Sequence, residues 1–380
     1  PIATDLYACS QESSMPSVAP KASIAGLVAR KPALPEAPTA ERVVRLHLNE
    51  GALGPSPRAM EAMRAVAERM DRYPGVDSSG LARALGRKHG IDPERILLGC
   101  GSDELIQFLC LAYVEPGEEV IYTQYGFLLF PMAARIACGV PVAAPDDGFT
   151  ASVDAILERV TPRTKLVFLA NPNNPTGTCL PASEVRRLRE GLPDRVLLVV
   201  DAAYAEYVQR DDYTAGIELV EETDNTVMLR TFSKAFGMAG LRLGWAYCPQ
   251  PMADTLYSVR PPYGVNAPAV AAGLAAVEDQ AFQDATLAHN ARWMPWLQER
   301  FRALGLEPMP TVANFMMLRF PTEPGRNADA VRPFLAGRGI LVREMASYGA
   351  PEYIRLSVGR EDENRLVVDA VSDFLNGANA

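Results

Sequence analysis

Two uninterrupted apolar runs, residues 166–170 and 196–200, constrain the fold of this chain more than any other feature. Neither alternates polar with apolar residues, so each reads as a strand covered on both faces, the kind found in parallel sheets flanked by helices. Short strands at residues 96–98, 119–122, 140–144, 227–229 and 243–247 alternate with helical periodicity at 56–70, 79–89, 103–113 and 127–138. This rhythm predicts an α/β fold whose large domain holds a mostly parallel, seven-stranded sheet between helices. After Pro261-Pro262 the pattern changes. A long helical stretch runs to about residue 303, with Pro295 as a kink or restart. Short strands at 315–318, 340–342 and 353–356 then alternate with helices at 328–336 and 361–375, which reads as a smaller α+β domain. Residues 1–40 are rich in Pro, Ala and Ser and read as an N-terminal arm with one short helix near 24–29. The expected boundaries are 1–40 for the arm, 72–263 for the large domain, and 41–71 with 264–380 for the small one.

Composition excludes several function classes. The net charge is −9, and no basic patch stands out to neutralise phosphates, which argues against a nucleic-acid partner. The longest uncharged stretch, residues 261–277, opens with Pro-Pro, and its apolar part is too short to span a bilayer. No signal peptide is legible, and six well-separated cysteines suggest the reduced thiols of a cytoplasmic protein. His47, His89 and His289 stand apart from one another and from the cysteines, so no metal site is expected.

Lys234 is the focal residue. Only five lysines occur among 37 basic residues, and this one lies in Thr231-Phe232-Ser233-Lys234-Ala235-Phe236-Gly237, just after an apolar strand. A lysine among apolar neighbours loses hydration, so its neutral amine becomes available to form a Schiff base. Ser233 and Arg242 flank it with a hydroxyl and a guanidinium, a pair suited to a phosphate. The turn Gly99-Cys100-Gly101-Ser102-Asp103-Glu104 lies between a strand and a helix, where free N–H groups and the positive helix end favour an anion. It lacks the third glycine of a dinucleotide fingerprint. Asp201 ends the run 196–200, and a carboxylate at the tip of a buried strand needs a cationic partner, such as a protonated ring nitrogen, unless it merely caps the next helix. Asn171-Pro172-Asn173-Asn174-Pro175-Thr176-Gly177 is a rigid turn at the end of the other run, placed to form a ligand edge. Arg355 sits inside an apolar strand and Arg343 follows another; each implies a bound anion or a paired acid, with Glu352 near enough to Arg355 for the latter.

In this order, Leu48-Asn49-Glu50 with Gly54-Pro55-Ser56-Pro57, Arg72-Tyr73-Pro74, Gly101-Ser102-Asp103-Glu104, Asn173 to Gly177, Asp201-Ala202-Ala203-Tyr204, Ser233-Lys234 with Arg242, and Arg355 resemble the class I/II aminotransferases of fold type I. Within that superfamily the chain is most similar to the histidinol-phosphate aminotransferase family, over roughly residues 41–375. The resemblance implies pyridoxal 5'-phosphate (PLP) as cofactor and a homodimer acting on a small-molecule amino donor and a 2-oxo acid acceptor. It implies that Lys234 binds the cofactor covalently and shuttles the substrate Cα proton, while Asp201 keeps the ring nitrogen protonated. Asn174 and Tyr204 would bond the ring's phenolic oxygen, and Tyr125 would stack on its face. Gly101, Ser102, Asp103, Ser233 and Arg242 would form the phosphate site, Asp103 through the turn rather than by charge, with Tyr73 reaching it from the second subunit. Arg355, with Arg343 and Asn174, would bind substrate. Three departures touch this pattern: Gly51-Ala52 where Asn-Pro is frequent, Cys100 where Asn is common, and Gly264 where Asn is often found.

The expected activity is histidinol-phosphate:2-oxoglutarate transamination in histidine biosynthesis. The alternatives are an aromatic amino-acid aminotransferase, a PLP lyase such as a phosphothreonine decarboxylase, and a non-catalytic PLP-binding domain.

Overall fold

The computed structural model describes residues 18, 20–25, 27, 42–74 and 79–377. Most of the expected N-terminal arm, and half of its helix at 24–29, lie outside these; Ala22–Ala25 form one helical turn. Seven strands build the main sheet: β1 (Ile96–Gly99), β2 (Glu119–Thr123), β3 (Val140–Ala144), β4 (Thr164–Ala170), β5 (Leu197–Asp201), β6 (Thr226–Thr231) and β7 (Gly244–Tyr247). Their order is β1-β7-β6-β5-β4-β2-β3. Only β7 runs antiparallel to its neighbours.

The apolar runs behave as strands buried on both sides. Leu166 and Phe168 of β4 face Leu105, Leu109 and Phe130, whereas Val167 and Leu169 face Val185, Leu188 and Leu219. Phe168 stacks on Phe130 with centroids 4.5 Å apart. The helices that place the site are α1 (Pro57–Val66), α2 (Ser79–His89), α3 (Ser102–Tyr113), α4 (Ala267–Glu278), α5 (Gln280–Ala303) and α6 (Glu361–Leu375). Helix α3 crosses the sheet from β1 toward β2, over β7 and β6. Its N-terminus therefore opens at the strands' C-terminal edge, where α/β sheets bind ligands.

Helices α2 and α4 cover the opposite face, with Leu81, Leu85, Ala269 and Ala272 against Leu98, Met228 and Trp245. Helix α1 packs along α4 and sends Ala59 into the same core. Both α1 and α4 thus lie on the large sheet, although the sequence-based boundary groups them with the smaller domain. An alanine-rich helix fits any close apolar layer, and its pattern does not name which one.

A second, antiparallel sheet has the order β8-β9-β11-β10, from β8 (Glu307–Pro308), β9 (Phe315–Arg319), β10 (Arg343–Glu344) and β11 (Tyr353–Ser357). Helices α5 and α6 cover one of its faces, with Trp293, Leu297, Phe301, Val367 and Val371 on Met316, Leu318, Ile354 and Leu356. By the two-residue period of a strand, Tyr353, Arg355 and Ser357 share the other face. The strand Val44–Arg45 pairs in parallel with Ile340–Leu341.

Of the two expectations for Pro295, a restart is not seen: α5 continues through it. The break falls at Asp279, whose side chain accepts the Phe282 N–H at 3.3 Å as an N-cap. A proline removes one donor, but Trp293, Met294 and Leu297 are buried on either side of it and hold both turns to the sheet. Among the described residues no helix is long and apolar enough to cross a membrane.

Candidate active site

A cavity of roughly 470 Å³ lies at the C-terminal ends of β1, β4, β5 and β6, roofed by β10 and β11 of the second sheet. Each strand end delivers a polar group because the apolar run stops there: Ser102 after β1, Asn174 after β4, Asp201 at the tip of β5, Thr231 at the tip of β6, and Ser233 and Lys234 after β6.

Lys234 Nζ donates to the Leu48 carbonyl at 3.0 Å and lies 5.7 Å from the centre of the Tyr204 ring. Burial, helped by the nearby Arg355 charge, lowers its pKa to about 8. A useful fraction of the amine is therefore neutral near physiological pH. Asp201 is 5% exposed, and one of its oxygens accepts the Ala203 N–H at 3.2 Å. Burial, with repulsion from Asp103, pushes its carboxyl up to about 7. A cation brought against Asp201 would restore its charge. The Tyr204 hydroxyl accepts from Asn49 Nδ2 at 3.0 Å, and burial raises its pKa.

The anion turn is built from backbone that tolerates no side chain. Gly101 has φ 84°, and a Cβ there would lie 2.7 Å from Arg242 Nη2. A Cβ on Gly244 would lie 2.4 Å from the Ser102 nitrogen. Helix α3 starts at Ser102, so its first N–H groups face the cavity end that Arg242 and Ser233 also line. Arg242 donates to Ser233 Oγ at 3.4 Å and to the Ala239 carbonyl at 3.0 Å, and pairs with Asp103 at 3.3 Å. Asp103 thus touches the site through Arg242 as well as through the turn.

At the other end Arg355, 6% exposed, donates to Asn174 Oδ1 and, at 2.9 Å, to the His47 carbonyl. Its Nε is buried without a partner. Arg343 lies directly opposite Arg355 across the β10–β11 pair and also lines the cavity, with Glu344 3.7 Å away. Two like charges side by side are unfavourable until an anion joins them.

Two expected residues do not line the cavity. Tyr125 turns its ring onto Phe149, 4.6 Å away, while Phe127, two residues on, forms the wall. Tyr73 is 82% exposed and stacks on Tyr263 at 4.8 Å. His47, Asn49, Phe127 and Tyr348 line the cavity without having been singled out. The Asn49 signal was present in the Leu48-Asn49-Glu50 motif. At the Gly51 departure the chain passes close to the Lys234 loop: a Cβ there would lie 2.6 Å from the Lys234 carbonyl oxygen.

The model of the family "Aminotransferase class I and II" matches residues 41–371. The chain belongs to this aminotransferase family. It is 52% identical to a histidinol-phosphate aminotransferase of Paramagnetospirillum magneticum, across 88% of this chain and 92% of that protein. It is 52% identical to another from Rhodospirillum centenum, across 90% and 94% respectively. The crystal structure of a histidinol-phosphate aminotransferase from Sinorhizobium meliloti in complex with PLP superimposes with a TM-score of 0.83 at 29% identity, covering 89% of this chain and 92% of that one. The aminotransferase uses PLP, and its residues fit that group. Asp201 is a buried carboxyl with no salt bridge among the described residues, suited to a protonated ring nitrogen. The Gly101–Ser102 turn with Ser233 and Arg242 suits a phosphate, and Lys234 lines the same cavity.

Proposed function

We infer that this aminotransferase moves the amino group of histidinol phosphate to 2-oxoglutarate, as its relatives' names describe. The observation that carries the donor assignment is the Arg343–Arg355 pair, in register at the far end of the cavity. Histidinol phosphate has no carboxylate, so its phosphate must occupy the place of the glutamate carboxylate. A guanidinium fork accepts both shapes, and a second arginine favours the doubly charged one.

Lys234 would take the proton from the substrate Cα and give it up to the cofactor carbon that keeps the amino nitrogen, its amine kept near neutrality by burial. PLP, when bound, supplies the electron sink for that carbanion. Asp201 holds the ring nitrogen protonated. Tyr204, set by Asn49, and Asn174 address the phenolic oxygen. Phe127 takes the ring-stacking role that the sequence assigned to Tyr125. Ser102, Ser233 and Arg242 would hold the phosphate, and Asp103 steadies Arg242. The cofactor-binding unit comprises residues 55–278, and residues 42–54 with 280–377 form the smaller one. The enzyme is a homodimer in which Tyr73 reaches the partner's phosphate site, and it works in the cytoplasm.

Steady-state kinetics test the reading. We expect kcat/KM for histidinol phosphate to exceed those for phenylalanine and tyrosine. Arg343→Ala should lower the first by about tenfold more than the others, the scale of one charge-assisted contact. A wild-type enzyme that ignores histidinol phosphate but transaminates aromatic amino acids would replace this reading with the aromatic one. Release of CO2 from phosphothreonine would replace it with a lyase.

A further inference from the structure

Phe149 has φ 69° and the preceding Gly148 has φ 53°. Together they turn the hairpin of Asp146–Asp147 and Thr150–Ala151. Glycine or asparagine suits such a position, whereas a bulky aromatic there crowds its own backbone. Strain of this kind persists where the side chain does something the fold uses.

The ring of Phe149 stands between two aromatic rings from different units. It lies 4.6 Å from Tyr125 and packs edge-on against Tyr353 at 5.3 Å. Its carbonyl accepts from Thr178 Oγ1 at 3.0 Å, which ties the hairpin tip to the turn after β4. Tyr125 begins the loop that ends in the cavity wall Phe127. That loop is clamped on both sides: Asp146 Oδ2 accepts the Tyr125 N–H at 3.0 Å, and Asn173 Nδ2 donates to the Tyr125 carbonyl at 3.1 Å. Tyr353 lies two residues before Arg355, on the same face of β11. Phe149 therefore links the wall at Phe127 to the strand that carries Arg355, without lining the cavity itself.

We propose that Phe149 is a positioning residue that sets the distance between Arg355 and the Phe127 wall, and so tunes the binding of both anionic substrates. The proposal rests on Arg355 being the substrate's anion partner. It predicts effects on substrate affinity rather than on the proton transfer, because Phe149 packs on Tyr125 and Tyr353 and bonds Thr178, whereas Asp201 ends β5 and Lys234 lies in the loop after β6.

Phe149→Gly and Phe149→Asn test it on the full-length holoenzyme. Both remove the ring, and both residues accept a left-handed backbone. We expect KM to rise about tenfold for glutamate and for histidinol phosphate alike, the scale of losing two aromatic contacts, with kcat nearly unchanged. The thermal midpoint should hold, because relief of backbone strain offsets the lost packing. Phe149→Tyr should restore wild-type KM values. Unchanged KM values, or a falling midpoint with kcat reduced and KM intact, would reduce Phe149 to a packing residue and overturn the proposal. So would a Phe149→Tyr enzyme that behaves like the glycine variant. A wild-type enzyme inert toward histidinol phosphate would overturn the donor assignment alone, since the glutamate half-reaction still reads the role of Phe149.

Discussion

Asp201 is kept in an environment that disfavours its charge. Its folded pKa, about 7, lies above the 3.8 of a free carboxyl. In the apoprotein the folded state therefore holds more protons than the unfolded state between those values, and this contribution to stability is present at low pH and lost as the pH rises through 7. Asn at the same position carries no charge to desolvate. We expect apo Asp201→Asn to resist denaturant better than wild type at pH 8, with the difference vanishing near pH 4, while turnover falls by at least about a thousandfold because the ring nitrogen loses its counter-charge. Denaturation of both apoproteins at the two pH values, beside a glutamate assay, checks this. Equal stability at pH 8, or near-normal turnover, would count against it. Asp201, Ser233 and Lys234 were legible in the sequence because each lies at or just after the end of an apolar strand, and Arg242 because it flanks Lys234. Phe127 and His47 were not. Which of two aromatics in Tyr125-Gly126-Phe127 faces a ligand depends on a loop path that the Asp146 and Asn173 hydrogen bonds decide, and His47 is brought in by pairing with a strand nearly three hundred positions away.

At the scale of elements, the link between β6 and β7 is tightly constrained at one glycine and open at another. Gly237 has φ 67°, and a Cβ there would lie 2.0 Å from the Gly54 carbonyl oxygen. Gly240, three residues on, has nothing within 4 Å of that position. Gly237→Ala should cost at least about 2 kcal/mol and weaken cofactor retention, since it combines a left-handed backbone with a backbone clash. Gly240→Ala should change stability by no more than about 0.5 kcal/mol. Paired denaturation curves and cofactor absorbance decide the matter, and similar behaviour of the two variants would refute it. The seven strands and most helices were readable because continuous apolar runs and 3.6-residue periods are strong local signals. The passage of α5 through Pro295 was hidden, because the burial that holds it comes from the second sheet.

For the whole molecule, Met70, 59% exposed, shares a surface cleft with Cys100 and Arg242 at the phosphate end of the site, and Tyr73, 82% exposed, stacks on Tyr263. We expect sedimentation to find a two-fold dimer, and Tyr73→Phe to weaken PLP binding about tenfold although Tyr73 lies outside its own cavity. A monomer, or unchanged PLP affinity, would rule out a shared site. The pairing of Val44–Arg45 with Ile340–Leu341 sets the timing of assembly. A ribosome finishes the last strand of the large sheet at Tyr247 while the partner of Val44–Arg45 is still unmade. At about 5–20 residues per second, several seconds separate the two events. Until then Asn49 and the carbonyls of His47 and Leu48 have no fixed place, so a nascent chain can bury its sheet yet cannot complete the ligand set around Lys234 and Arg355.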